Sequence, residues 1–565
     1  MSLLETIKRT IAAELGAEPA TFSYPPNAAL GDLSLACFEL AKKEGKNPTA
    51  LAQAMAERLG QAPALQGYLK TAKAVGPYVN FFIRPEFLAA EVIGAVKKEK
   101  EAYGRNDSGQ GRKIMIEYSN GNTHKEYHVG HLRNISFGAA VAKLLAASGY
   151  ETLSVSYIND FGIHVAKTIW EWKKKPAPDD PSVNKGYLLG QYYVQASREL
   201  EKEPEKKEEV GKIMKAIESR QGGDYELWQE TRNWSIKYFD RIYKELDIKF
   251  SHIFYESEVI DAGRKIVDDL LAKGILKRSQ GAIIADLETY GLGVLPIIRT
   301  DGTALYPVGD LELAKEKFDH YQINESLYVV DVRQSLYFQQ LAKILELMGY
   351  EQKLAHLTYD FVTLPEGMMS SRTGQVITYE ELKDKLLQKL VAETKKRHSD
   401  WTNSRVGMVA RCLTISTIKF EMLKVGADKI ITFNIEEAAK FDGFTACYIQ
   451  YGYARLKSIV RKGGLSWFQG RPDLSLLQEA KEQELLMKIA KYPEIIALAT
   501  PKYNPSEVAK YLFELVQLFN DYYHDINILK ADRADKKARL ALIKAVAQVL
   551  HNGFGILGLQ TLEEM

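Results

Sequence analysis

The sequence predicts an α/β chain built on a parallel sheet, with a small α+β module before it and an all-α domain after it. Three observations carry this reading. Residues 113–158 run strand, turn, helix, glycine, strand, which is a βαβ unit and therefore a pair of parallel strands. Residues 171–255 are rich in lysine and glutamate at helical periodicity, which places a helical insertion across that sheet. From about residue 396 the pattern stays helical to the end.

With 565 residues, 46% of them apolar, the chain is too long for one core, so three domains are expected, over 1–105, 106–395 and 396–565. In the first, Asn47 before Pro48 is an N-cap followed by proline at the first helical position, and Leu51, Met55 and Leu59 repeat at helical spacing. YVNFFI at 78–83 reads as a strand, and the polar, glycine-containing stretch 98–112 as a linker. KIMIEY at 113–118 opens the sheet. Leu132, Ile135, Ala139 and Ala142 then share a helix face that Gly149 terminates. Residues 152–158 give the second strand, and 281–287, 326–332 and 357–362 give further strands. The lysine–glutamate run at 201–210 is a solvated helix face. Residues 506–523 and 539–557 are long amphipathic helices.

A net charge of +2 with 26% charged residues neither demands nor excludes a nucleic-acid partner. Cys37, Cys412 and Cys447 form no C-x-x-C pair, so no zinc site is expected, and they read as buried small hydrophobes in a reducing compartment. The N-terminus lacks a long apolar h-region, and no run of about 18 uninterrupted apolar residues is found that would span a membrane. The expectation is a soluble, cytoplasmic protein.

Two loops carry chemistry. The turn after the first strand, SNGNTHKEYHVGHLRN at 119–134, sets His128 and His131 around Gly130 at a helix start. A helix N-terminus offers free N–H groups and a positive dipole end to phosphate. Glycine admits a nucleotide close to the backbone, imidazoles can donate to a charged phosphorus centre, and Lys125 adds a full positive charge. Alone, the pair also reads as a metal pair or a structural turn. His124 reads as a surface residue. The second loop, GMMSSRTG at 367–374, offers Ser370, Ser371 and Arg372 to a triphosphate, and alone also reads as a plain surface loop.

Together the two loops resemble the paired H-I-G-H and K-M-S-K-S signatures of class I aminoacyl-tRNA synthetases, HVGH matching the first and MMSSR the second. Within the class the sequence resembles arginyl-tRNA synthetases along essentially its whole length. Glu117, Ser119, Asn122, Lys125, His128, Gly130, His131 and Arg133 fit that family's first block, with Gly121 in place of a proline. YINDFG at 157–162 resembles the next strand end. TDGTALYPVGDLELA at 300–314 resembles the D-G-T-x-L-Y-x-x-x-D block, with Tyr306 and Asp310 matching. VVDVRQSLYFQQL at 329–341 resembles the following block through Gln334, with Tyr337 where a histidine is common. Read alone, Tyr306 and Asp310 would be a packed tyrosine and a helix-start acid.

The resemblance implies a Rossmann-type catalytic sheet, a first module that contacts the tRNA D-loop through Tyr78 and Asn80, and a final helical domain that binds the anticodon. Tyr448, Gln450, Tyr451, Tyr523 and Met565 are that last domain's candidates, although aromatic stripes on helices are also core and Tyr78 also reads as an edge-strand aromatic. It implies an arginine pocket of Glu117, Asn122, Tyr306, Asp310 and Gln334, since a planar guanidinium fork prefers a carboxylate with two acceptor oxygens. His128, Gly130, His131 and Met369 are the implied ATP site. Met368 and Ser371 replace the two lysines of the second signature, and Lys125 is the implied substitute. The implied reaction is attack of the arginine carboxylate on the α-phosphorus of ATP, magnesium accompanying the nucleotide, then transfer to the terminal ribose of tRNA(Arg). The first step is implied to need bound tRNA, and the enzyme to be a monomer. A cysteinyl or glutamyl class I enzyme, or a tRNA-binding paralogue without activity, would be the alternatives; the missing cysteine set, Asp310 and the intact HVGH weigh against them in turn.

Overall fold

The computed structural model describes residues 2–15, 22–178, 180–365, 377–464 and 471–565. The first module packs helices on a four-stranded antiparallel sheet in the order Phe22–Ser23, Leu33–Ala36, Tyr78–Ile83, Leu69–Val75. Asn47 caps the helix Pro48–Gly60 as expected, its side-chain oxygen accepting from the amides of Thr49 and Ala50. Along Tyr78–Ile83 the period-2 pattern buries Val79, Phe81 and Ile83 against Leu33 and Leu35. The stretch 98–112 is no free linker. The Asn552 amide donates to the carbonyls of Lys100 and Tyr103, and the buried Tyr103 hydroxyl donates to the Ile489 carbonyl at 3.1 Å, so the stretch is tied to the last domain.

The central sheet is parallel throughout, in the order Lys353–Tyr359, Glu325–Asp331, Lys113–Glu117, Glu151–Ile158, His252–Tyr255. The helix Val129–Ala147 crosses from the third of these strands to the fourth, and Gly149, at φ +82°, follows its end. The insertion comprises Ile163–Lys174, Lys185–Lys202, Lys207–Glu218 and Gly223–Glu245. It therefore ends earlier than the sequence implied, because His252–Tyr255 is the edge strand of the sheet. Four residues are too few for their alternation to stand out beside long helices. The strand expected at 281–287 forms as Ala282–Asp286, but in a separate antiparallel sheet between Val294–Ile298 and Lys277–Ser279.

The last domain is helical as predicted, apart from Ile431–Thr432, which pairs with Val362–Thr363 of the catalytic region. The helix Arg533–Leu557 is long and apolar enough by composition to cross a membrane, yet 67% of its most apolar window is buried within the protein, as befits a bundle's central helix. Cys37 and Cys447 are buried as expected, whereas Cys412 is only half-buried.

Candidate active site

The signature turn is a helix cap made of two imidazoles. His128 is the N-cap of Val129–Ala147, its Nδ1 accepting from the Gly130 amide at 3.2 Å, while His131 Nδ1 accepts from the His128 amide at 3.1 Å. The ring centroids lie 3.8 Å apart. A backbone N–H can donate only to an unprotonated ring nitrogen, so both rings carry their proton on Nε2. Burial, then the Lys125 charge, lowers the His128 pKa to about 4, and burial with His128 and Lys125 holds His131 well below the usual range. Both are thus neutral Nε2–H donors at neutral pH. A Cβ on Gly130 would come within 3.0 Å of His128 Cε1, so the ring would have to give by a few tenths of an ångström.

The turn is anchored to the sheet. The Ser119 amide, at φ +61°, donates to Asn134 Oδ1 at 2.5 Å, and Asn134 donates in turn to the Val329 carbonyl at 2.7 Å. Arg133 is buried and donates to the carbonyls of Met422 and Gly426, so this family-matching residue joins the signature helix to the last domain. His124 corrects the surface reading. It is fully buried, with Nδ1 2.9 Å from Thr123 Oγ1 and Nε2 2.8 Å from Thr231 Oγ1. Met369, Ser370, Ser371 and Arg372, together with Met368, lie outside the described residues.

A cluster of acids lies at the carboxyl end of the sheet, where parallel sheets place their ligands. Tyr306 opens the helix Tyr306–Tyr321 and is 67% exposed; Asp310 lies one turn on, half-buried. The Tyr337 hydroxyl donates to Asp310 Oδ2, so the tyrosine standing for a histidine orients the carboxylate. Glu117 ends its strand buried, bonded to the buried Lys317 ammonium and accepting from Asn120 at 2.8 Å. Asp160, fully buried, is held by Arg232 at 2.5 Å and by the Ser257 hydroxyl at 2.7 Å. Asn122 is half-buried and bridges to Asn159; Gln334 is exposed at the start of Ser335–Leu347.

Two acids here were missed by sequence reasoning as a pair. Burial, and then the carboxylates of Asp310, Glu256, Glu117 and Asp160, hold the Tyr157 phenol well above its usual pKa. Lys317 neutralises Glu117 and Arg232 neutralises Asp160. Among the described residues no ion pair serves Asp310 or Glu256. Burial raises Asp310 to about 7, while burial and then the neighbouring Asp160 and Asp310 raise Glu256 to about 8. Glu256 directly follows the edge strand His252–Tyr255, and overlooking that strand concealed the acid.

The outlying candidates divide by exposure. Tyr78 is 40% exposed and meets Phe38 edge-on, whereas Asn80 is buried with its Oδ1 accepting from Ser34 at 2.7 Å. Tyr523 is 40% exposed, and the Arg455 guanidinium lies 4.8 Å from the Tyr451 ring and 5.7 Å from the Tyr523 ring. Tyr448 is half-buried and accepts from Asn520 at 2.9 Å. Gln450 is fully buried; it donates to the Gln560 carbonyl and accepts from the Leu562 amide, and so tethers the terminal segment that ends in the half-buried Met565. Beside that segment a cavity of about 970 Å³ gathers Arg405, Arg411 and Arg461.

Comparison with known proteins accounts for these features together. The family described as "tRNA synthetases class I (R), catalytic domain" matches residues 92–433. "Arginyl tRNA synthetase N terminal domain" matches 1–83, and "DALR anticodon binding domain" matches 449–565. The chain is 36% identical to an arginine–tRNA ligase of Bdellovibrio bacteriovorus across 96% of its own length and 93% of the relative's. It is 34% identical to that of Clostridioides difficile across 97% and 96%. The solved Thermus thermophilus arginyl-tRNA synthetase superposes over the full length of both chains with a TM-score of 0.83 at 25% identity. With its double-imidazole cap and its acid cluster on a parallel sheet, the chain belongs to the arginyl-tRNA synthetases, class I ligases that use ATP to charge tRNA with arginine.

Proposed function

We propose that Asp310 and Glu256 receive the arginine guanidinium, with Tyr306 bounding the pocket and Tyr337 aiming Asp310. The observation that carries this is the pair of carboxylates without an ion-pair partner among the described residues, where two neighbouring acids have one. Holding two partly desolvated acids charged side by side without an ion-pair partner is costly, and a planar cation with several donors relieves it. Glu117 serves this pocket through its field and its pairing with Lys317, while Asn122 and Gln334 suit the substrate's α-ammonium and α-carboxylate. His128 and His131 offer Nε2–H donors, and Lys125 a charge, to the ATP phosphates as the arginine carboxylate attacks the α-phosphorus and pyrophosphate leaves. The MMSSR loop, with Met369, Ser370, Ser371 and Arg372, is assigned to the same phosphates from sequence. Magnesium would be carried mainly on the phosphates of ATP. The second step passes arginine to the terminal ribose of tRNA(Arg).

We further assign residues 1–105 to the tRNA D-loop, 106–395 to catalysis and 396–565 to the anticodon, in a cytoplasmic monomer. Exposed Tyr78 supplies a stacking face, and Asn80 a buried amide behind it. In the last domain Tyr448, Tyr451 and Tyr523 offer aromatic faces, and Gln450 acts on tRNA by holding Met565 in place. Arginine-dependent exchange of pyrophosphate into ATP, with and without tRNA, tests the central reading; exchange driven by a neutral or acidic amino acid would overturn it. Tyr78→Ala should raise the KM for tRNA by the worth of one stacked base, about 1–3 kcal/mol, and leave the KM for arginine unchanged. Charging kinetics that stay the same across tRNA concentrations would return Tyr78 to a structural role.

A further inference from the structure

The segment Thr123–Tyr127, which carries Lys125, is gripped on two sides by the helical insertion. From Gly223–Glu245, Thr231 Oγ1 lies 2.8 Å from His124 Nε2, Ser235 Oγ accepts from the His124 amide at 3.0 Å, and the Tyr238 hydroxyl accepts from the Tyr127 amide at 3.3 Å. Thr231 Oγ1 has carbonyls as its own acceptors, that of Leu227 at 2.8 Å and that of Trp228 at 3.2 Å. With its one proton committed there, Thr231 accepts from His124, which fixes that ring as the Nε2–H tautomer. Thr123 Oγ1, 2.9 Å from His124 Nδ1 and 3.4 Å from the Asn159 carbonyl, then donates to the nearer nitrogen. From Lys185–Lys202, the ring of Tyr193 lies 4.9 Å from the Lys125 ammonium. Gly190 of the same helix comes so near that a Cβ would stand 2.3 Å from Glu126 Cγ and 2.6 Å from the Glu126 amide.

His124 is held at φ +61°, a left-handed conformation that a non-glycine residue keeps only when its surroundings enforce it. The backbone direction at Lys125 follows from that conformation. The partners that enforce it are Thr231 and Ser235, more than a hundred residues further along the chain. The Lys125 charge is felt at both His128 and His131, so its position matters to the cap.

We propose that the insertion is the positioning device for Lys125: Thr231 and Ser235 lock His124 in its left-handed turn, and Tyr193 holds the ammonium beside the two histidines. Thr231 and Ser235, both buried, and Tyr193 are positioning residues for the charging reaction. This rests on the assignment of Lys125 to the ATP phosphates. Because the insertion touches both Lys125 and, through Arg232, Asp160 at the carboxyl end of the sheet, displacement of its helices reaches the phosphate site and the acid cluster together.

The test is a double-mutant cycle on the full-length enzyme with arginine, ATP and tRNA(Arg). Thr231→Val keeps the shape and removes the acceptor; Thr231→Ser restores the hydroxyl. Thr231→Val should lower kcat substantially, since misplacing a reacting group by about 1 Å can cost on the order of 10²-fold. The KM for arginine should hold and the melting temperature should fall little, and Thr231→Ser should recover most of kcat. Gly190→Ala, which presses on the turn from the other helix, should show the same kcat loss, and serves if Thr231→Val fails to fold. Added to Lys125→Ala, Thr231→Val should cost almost nothing more. A Thr231→Val enzyme with wild-type kcat, or a loss that multiplies fully with that of Lys125→Ala, would overturn the proposal while the Lys125 assignment stands. Wild-type activity of Lys125→Ala would overturn both.

Discussion

Asp310→Asn should bind arginine about 3–5 kcal/mol more weakly than the wild type, because a desolvated guanidinium then faces a neutral amide. The substitution preserves shape, and the Tyr337 hydroxyl can still donate to the amide oxygen, so the loss reports charge and not packing. ATP binding should be unchanged. Lysine should be a very poor substrate of the wild type, since a single ammonium cannot serve a planar two-pronged acceptor, and citrulline, which lacks the charge, should be poorer than arginine. The pH dependence follows from the raised acids. With Asp310 near 7 and Glu256 near 8, these acids hold protons at neutral pH and must release them to take a cation. Arginine affinity should therefore rise as pH increases through about 7 to 8 and level off above, and binding at pH 7 should release protons. Titration calorimetry of both proteins in buffers of different ionisation enthalpy measures this. Equal arginine affinity in Asp310→Asn would place the pocket elsewhere.

What could be read ahead of the structure follows the range of each interaction. His128, Gly130 and His131 work within four residues of one another, so their place at a helix start was legible from spacing, and the structure has them there, while the choice of phosphate over a metal pair or a plain turn came from resemblance. The βαβ unit at 113–158 was legible for the same reason. Tyr306 and Asp310 stood out only through resemblance, because an acid one turn into a helix is commonplace. Partners far apart in the chain left no local trace. Lys317 meets Glu117 across 200 residues, and nothing near either one announces that the acid is already neutralised. His124 looked like a surface residue among polar neighbours, yet it is wholly buried because Thr231 and Ser235 are brought over it by the insertion. Gln450 read as a contact for tRNA, and its burial under the terminal segment depends on Gln560 and Leu562, which no helical periodicity connects to it.

Replacing either histidine of the cap should slow arginine activation by about 2.7–4 kcal/mol, the worth of a donor aimed at developing charge. Alanine would confound two effects, since His128 also caps its helix and loss of a cap costs about 0.5–2 kcal/mol of stability. His128→Asn separates them. Asparagine is a good N-cap and can accept from the Gly130 amide as His128 Nδ1 does at 3.2 Å, but it has no donor where Nε2–H stood. Its melting temperature should stay near the wild type while kcat falls about 10²–10³-fold, and the affinity for arginine should hold. Protonation gives an independent sign. With His128 lowered to about 4, the rings stay neutral throughout the pH 5–8 range, so at saturating arginine kcat should show no limb from them there. Acidification below about 4 would put a proton on Nδ1, facing a backbone N–H, and open the cap. Single-turnover adenylate formation with tRNA present, run beside thermal unfolding, decides the matter. A His128→Asn enzyme that forms adenylate at the wild-type rate would leave His128 a cap and nothing more, and the phosphate donor would have to be His131 or Lys125.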